Sequence, residues 1–357
     1  MEFIQIKAGN DDVGRRIDRV LRKLLPGVAL GEIYKHLRKG TIKVNAKKAA
    51  QDYRMNEGDV LFLASFLEAE MQNYGASQLA VKPNAQLSAQ ADDAAFAPNS
   101  ADTARPAGAA KKNYGFKLET LFQNEHIRIV NKPFGVAVHK SNSKEISLAE
   151  IVAAEYRALH QNESLSFTAG PLHRLDKNTS GIIVFSQSLK GAQWFSENLP
   201  SFKKEYLGIV QGEINEPQYW VDFIDDAPKE GGTAYKTVRI SSSGKEARTH
   251  CFPLSRGSYK GTPVVLCRFC IETGRKHQIR AQSAFHGFPL LGDSAYNADF
   301  RKGTAQPNRF YLHAFKLTVP PNPIGMPQTI EAPLPEDFSL FLSEECHFPA
   351  YLKISCE

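Results

Sequence analysis

Ile17, Val20, Leu21, Leu24 and Leu25 recur at i, i+3, i+4, i+7 and i+8, the spacing of an amphipathic helix. Leu30, Ile33, Tyr34 and Leu37 repeat the pattern, Pro26-Gly27 separates the two stretches, and Gly40 is a fitting C-terminal stop. "TIKVN" (41–45) and "GDVLFL" (58–63) then alternate apolar and polar positions like short strands around the turn-rich "AKKAAQDYRMNE". Residues 1–64 therefore read as a compact module of two helices followed by a small sheet.

The pattern fades in residues 76–110, where 13 of 35 positions are Ala and Ser, Gln, Asn, Asp and Pro fill much of the rest. Residues 65–116 are expected to be a flexible linker, with a weak Ala-driven helix as the alternative. A coil of about 50 residues spans about 40 Å end to end. From about Gly115 the chain is strand-rich. "IRIVNKP", "GIIVFSQ", "KEYLGIVQGEI", "THCFPL" and "TPVVLCRFCIE" are β-like, and "SLAEIVAAEYRALH" and "KGAQWFSENL" are helical. Strands and helices do not alternate regularly, which argues against a doubly wound parallel sheet. The expected fold class is α+β, with a mostly antiparallel sheet over 117–345 and a tail at 346–357.

The chain has 357 residues, 42% of them apolar, enough for one sizeable core and a smaller module. It lacks an 18-residue apolar run, so no membrane span is expected. "MEFIQIKAGNDDVGRR" is not laid out as a signal peptide, and five Cys fit a reducing compartment; the expected location is the cytoplasm. The formal charge is +6, but residues 15–48 hold eleven Lys/Arg against two Asp/Glu. A basic patch on a near-neutral body suggests nucleic acid, and a merely solvated helix face is the alternative.

The densest chemistry lies in "PLHRLDKNTSGIIVF" (171–185), where His173, Arg174 and Asp176 stand at the mouth of an apolar strand. A second dense stretch, "TGRKHQIRAQSAFHGFPLLGDSAY" (273–296), places Arg275, His277, Gln278 and Arg280 around Ile279. An inward Arg is costly unless a carboxylate meets it. Asp176 is the candidate, and an ionised, partly desolvated carboxylate can serve as nucleophile or base. Bland readings stand beside these: His173 orienting the turn, Asp176 capping it, Tyr206 packing in the core. Cys267 and Cys270 invite a zinc reading, but residues three apart on a strand point to opposite faces. No metal site is expected. Lys132-Pro133 before Gly135 is either a phosphate-binding turn or, the favoured reading, a structural one.

Two resemblances add to this. "GRRIDRVLRKLL", "EIYKHLRKGTIKVN" and "EGDVL" resemble the small S-four RNA-binding domain, which implies RNA contacts by Arg16, Arg19, Lys35, Arg38 and Lys39. "HRLDKNTSG" (173–181), "NKPFGVAVH" (131–139), "KKEYLGIVQG" (203–212) and the 273–296 stretch resemble the RluA-type pseudouridine synthases, with "LHAFKL" and "APLPEDF" behind them. The resemblance covers about 117–340. Lys276 and Gly208 depart from the family's commoner residues at positions that carry no catalytic role. It implies that Asp176 attacks the ribose of a target uridine, that Tyr206 lies against the base, and that Arg280 pairs with Asp176. It further implies that Arg174 fills the gap left by the flipped uridine, with His173, Arg275 and His277 beside the RNA. The implied reaction is an isomerisation of uridine to pseudouridine without a cofactor, in a monomer acting on RNA, large-subunit ribosomal RNA above all. The alternatives are a catalytically silent RNA-binding or ribosome-assembly factor on the same fold, and a synthase acting on transfer RNA.

Overall fold

The computed structural model describes residues 1–71, 116, 118–140, 145–160, 164–225, 237–297 and 309–348. The Ala-rich stretch 76–110 and the tail beyond residue 348 lie outside them. The chain divides into two units, Met1–Tyr114 with Arg157–Phe167, and Gly115–Tyr156 with Thr168–Glu357.

The first unit contains β1 (Phe3–Lys7), α1 (Ile17–Leu24), α2 (Leu30–Lys39), β2 (Ile42–Val44) and β3 (Val60–Ala64), with an antiparallel sheet ordered β1-β3-β2. All five positions of the first predicted stripe are buried. Each fully buried Leu or Ile contributes roughly 1.5–3 kcal/mol, and this packing, rather than propensity, holds a helix as short as α1. α2 ends at Gly40, whose backbone is left-handed and whose N–H reaches the His36 and Leu37 carbonyls. β1 was not expected from the pattern, because Ile6 is its only buried residue.

Two expected boundaries need correction. The first core runs past residue 64: Leu67 is buried in it and Met71 packs against it. Residues 157–167, expected within the catalytic domain, belong to the first unit. The reason is Asp12, fully buried, whose carboxylate accepts from the N–H groups of Gly9 and Leu165 and the hydroxyls of Ser164 and Ser166. Leu165 joins the apolar cluster beside it.

The second unit carries strands β4 (Glu119–Gln123), β5 (Ile127–Lys132), β6 (Ser180–Ser186), β7 (Lys203–Gln211), β8 (Gln218–Asp225), β9 (Arg239–Ile240), β10 (Lys245–Tyr259), β11 (Thr262–Ile271), β12 (Leu312–Thr318) and β13 (Thr329–Glu331). Its helices are α4 (Leu189–Asn198), α5 (Gln278–Phe285) and α6 (Glu336–Leu340); α3 (Leu148–Leu159) begins in this unit. The sheet order is β4-β5-β6-β12-β7-β11-β10-β8-β9, with β13 on β12. Its strands pair antiparallel except for β6 with β12. The α+β class with a mostly antiparallel sheet therefore holds.

Two local features of this sheet position the site. β6 is buried at all seven positions, as an apolar run between two neighbours should be. It meets β12 at Gly181, where a Cβ would stand 2.2 Å from the Ala314 carbonyl oxygen, so this crossing excludes any side chain. Second, α5 is bolted to the sheet through Gln282, fully buried. Its amide donates to Asp222 on β8 (2.7 Å) and accepts from the Thr249 hydroxyl on β10 (2.7 Å).

Candidate active site

The turn that carries Asp176 is built by three layers of contacts. Within it, the Thr179 N–H donates to the Asp176 carbonyl, closing residues 176–179. Behind it, the Ser180 hydroxyl meets His313 Nδ1 on β12 at 2.9 Å, and His313 Nε2 lies 3.2 Å from the Ala332 carbonyl. The Ala332 carbonyl needs the proton on Nε2, and burial, pushing His313 down to about 4, favours the neutral ring whose Nδ1 accepts from the Ser180 hydroxyl. Beside it, Lys132 at the end of β5 is fully buried. Its ammonium donates to three carbonyls, Pro133 (3.0 Å), Val136 (2.8 Å) and Lys177 (2.9 Å). The Gly135 N–H reaches the Lys177 carbonyl as well. Lys132-Pro133-Gly135 is thus a structural turn that grips the residue after Asp176. Burial lowers Lys132 to about 7, and the Asp176 charge acts against that shift.

Asp176 opens into a pocket of about 570 Å³ whose lining includes His139, His173, Arg174, Lys204, Tyr206, Arg275 and His277. Its carboxylate is a quarter exposed, with Oδ2 3.0 Å from Arg280 Nη1 and Oδ1 3.7 Å from His277 Nε2. The expected trio of Asp176, Tyr206 and Arg280 is therefore gathered from three separate stretches of chain. Arg280 makes more than the expected pair. Its Nε and Nη2 fork onto Asp293 at 2.7 and 2.9 Å, and its guanidinium lies over the Phe310 ring at 4.3 Å and the Tyr296 ring at 5.1 Å. Burial opposes its charge, but the hydrogen bonds and charge of Asp293, then Asp176, hold it above the ordinary Arg value.

The remaining predicted residues divide by unit. Tyr206, on β7, is nearly buried; burial first, then the Asp176 charge, push its phenol above the usual range, so it enters the site protonated. His277, left-handed at φ 52° just before α5, lies 2.9 Å through Nδ1 from the Tyr296 hydroxyl; burial lowers it to about 4. His173 accepts the Val184 N–H through Nε2 at 3.1 Å and stacks on Phe195, and burial lowers it to about 4. That is the turn-orienting geometry, although its ring also lines the pocket. Arg174 and Arg275 stand exposed at the rim, the latter donating through Nε to the Glu246 carbonyl.

Arg16, Arg19, Lys35, Arg38 and Lys39 all belong to the first unit. Arg19, Arg38 and Lys39 are exposed. Arg16 is committed to Asp18 by two hydrogen bonds, and Lys35 pairs with Glu32 at 3.2 Å.

Sequence reasoning missed Lys132 as a clamp, Asp293, and the pair Ser180–His313. Each lies inside a quoted motif, but the partners of Lys132 are backbone carbonyls, Ser180 and His313 are far apart in the chain, and Asp293 meets Arg280 from 13 residues away, beyond the reach of helix or strand spacing. β11 places Cys267 in the core and Cys270 on its other face, as strand geometry requires. Among the described residues there is no cluster of three or more His, Cys, Asp or Glu able to hold a metal ion.

Residues 126–285 match the family model described as RNA pseudouridylate synthase. The chain is 28% identical over 338 residues to the ribosomal large subunit pseudouridine synthase C of Escherichia coli strain K12, covering 91% of each chain. It is 28% identical over 317 residues to the protein of the same name from Haemophilus influenzae, covering 86% of this chain and 84% of that one. Among solved structures it is similar to human RNA pseudouridylate synthase domain containing 1. That similarity has a TM-score of 0.49 and 24% identity, over 63% of this chain and 86% of that one.

Proposed function

We propose that this chain, whose residues 126–285 match the RNA pseudouridylate synthase family model, isomerises uridines of large-subunit ribosomal RNA to pseudouridine, with Asp176 acting on the ribose. The observation that carries this reading is the state of Asp176, one oxygen on Arg280 and the carboxylate facing a pocket walled by Tyr206 and His277.

Either Asp176 bonds to C1′ or it takes the C2′ proton. On both routes the electron pair of the C1′–N1 bond leaves on the uracil. The freed ring turns in the pocket and C5 bonds to C1′ as the Asp176–C1′ bond breaks or as Asp176 returns the proton to C2′; C5 then loses its proton and N1 gains one. Atoms and electrons balance without a redox partner or ATP. Tyr206 packs against the base, and its phenol oxygen is the candidate acceptor of the C5 proton. It starts protonated, so it takes the C5 proton only as its own hydroxyl proton passes on to N1 or to water, and the phenol is neutral before and after the transfer. Arg174, exposed at the rim, occupies the stack that the flipped uridine vacates, offsetting a few kcal/mol of unstacking. Arg19, Arg38 and Lys39, with Arg16 and Lys35 less freely, contact RNA phosphates. The protein acts in the cytoplasm as a monomer. The described residues contain no helix long and apolar enough to cross a membrane.

The test uses RNA carrying tritium at uridine C5. Wild-type protein releases tritium and Asp176→Asn binds RNA without release; release by the variant at the wild-type rate refutes the assignment. Pseudouridine mapping in a strain lacking the protein separates the substrates. Loss confined to transfer RNA overturns the ribosomal proposal, and no loss anywhere favours a silent binding factor.

A further inference from the structure

We infer that Asp293 is a positioning residue for this reaction: it keeps Arg280 electrically closed, so that Asp176 can give up its charge without leaving a bare cation in the protein interior. The inference rests on the reading of Asp176 given above.

The geometry is unequal in a telling way. Arg280 gives two donors to Asp293 and one to Asp176. Asp293 is 1% exposed on its side chain, against 25% for Asp176. Asp293 is further fixed by the Ala295 N–H at 3.2 Å, and its own N–H and carbonyl bond to Leu290, Tyr296 and Asn297. The buried neutral pair is therefore Arg280–Asp293. Asp176 is a second carboxylate laid on an already paired guanidinium, and the three groups together carry one negative charge.

That excess charge is what the reaction moves. When Asp176 becomes an ester at C1′, or a carboxylic acid after taking the C2′ proton, its charge passes to the uracil. If Asp176 were the sole counter-ion, this step would strand a guanidinium that is 8% exposed, an expensive state. With Asp293 in place Arg280 stays paired throughout. The other groups facing Asp176 are His277 ahead of α5, Lys132 at the end of β5 and Tyr206 on β7. His277 is held neutral by burial and Tyr206 stays protonated, so neither supplies a counter-charge to Arg280.

The substitution Asp293→Asn keeps the outline and removes the charge. The expected result is a fall of about 100-fold in single-turnover tritium release, with RNA affinity within about 2-fold of wild type. The acid limb of the rate profile should move to lower pH, because Asp176 becomes the only counter-ion of Arg280. A merely structural Asp293 would lower the melting temperature and leave the acid limb in place. A stability measurement stands even if Asp293→Asn fails to fold. Asp176→Asn leaves Arg280–Asp293 closed and should melt within about 2 °C of wild type, whereas Asp293→Asn should melt well below it or not fold. The inference is overturned if Asp176→Asn is the more destabilised, or if folded Asp293→Asn keeps the wild-type rate and acid limb. Tritium release by Asp176→Asn would instead overturn the reading beneath it.

Discussion

Replacing Lys132 with Met tests how the nucleophile is held. Met keeps the apolar stem and removes the ammonium, so the carbonyls of Pro133, Val136 and Lys177 each lose a donor. Hydrogen bonds to a charged group contribute about 1.5–3 kcal/mol each, so three amount to roughly 5–9 kcal/mol. Against that, the variant no longer desolvates a cation, which returns several kcal/mol. The expected net loss is about 2–4 kcal/mol at pH 6, measured as a urea midpoint. Linkage gives the sign of its pH dependence. Unfolded Lys keeps its proton to about 10.4, and folded Lys132 to about 7. Between those values the unfolded chain binds more protons, so wild-type stability rises with pH while Met contributes no such slope. The gap between the two proteins should therefore widen from pH 6 to pH 9. Because Lys177 follows Asp176 directly, loosening its carbonyl displaces the nucleophile, and a misplacement near 1 Å costs about 10²-fold in turnover. Equal midpoints at both pH values together with wild-type tritium release would refute the clamp.

Other outcomes follow from the same site and from the first unit. Arg280→Ala strands Asp293 as well as Asp176, so a loss of at least about 3–5 kcal/mol and near-complete loss of turnover are expected; Arg280→Lys should be milder but impaired, since Lys cannot fork onto Asp293. His313, fully buried and lowered to about 4 chiefly by burial, lies below its unfolded value of about 6.5. Its contribution is complete above that pH and is lost as pH falls toward 4, by up to about 1.4 kcal/mol per pH unit. His313→Gln should remove this share of the acid slope in urea titrations between pH 7.5 and 4.5. Deleting residues 1–75 should flatten the slope of log RNA affinity against log salt by about 2–4 units, for three or four phosphate contacts at about 0.7–0.9 each. An unchanged slope would leave the basic face as mere solvation. The deletion also removes Asp12, so protease cleavage within 157–167 should appear in the truncated protein alone.

Much of this was legible in the one-dimensional pattern. The stripe Ile17–Leu25, the Gly40 stop, the buried run of β6 and the strands around Tyr206 depend on near neighbours in sequence, and the structure repeats them. β1 was hidden because a strand with one buried residue has almost no alternation to detect. The first unit's claim on residues 157–167 was hidden because a buried Asp12, some 150 residues earlier, makes it.

The site divides along the same line. That Asp176 stands in a polar turn before an apolar strand, and that an inward Arg280 needs a carboxylate, follows from residue types and spacing alone. Which carboxylate closes on Arg280 does not. Asp293 and Asp176 are both available in the sequence, and only the packing of the turn around Asp293 against α5 gives the fork to one and a single bond to the other. Likewise Lys132 finds backbone carbonyls rather than an anion, and Ser180 finds His313 across a parallel crossing that the sequence does not announce. Periodicity is enforced by each residue's own backbone geometry, so it is written locally. Charge closure is enforced by the low dielectric of an interior that exists only once distant segments have enclosed it.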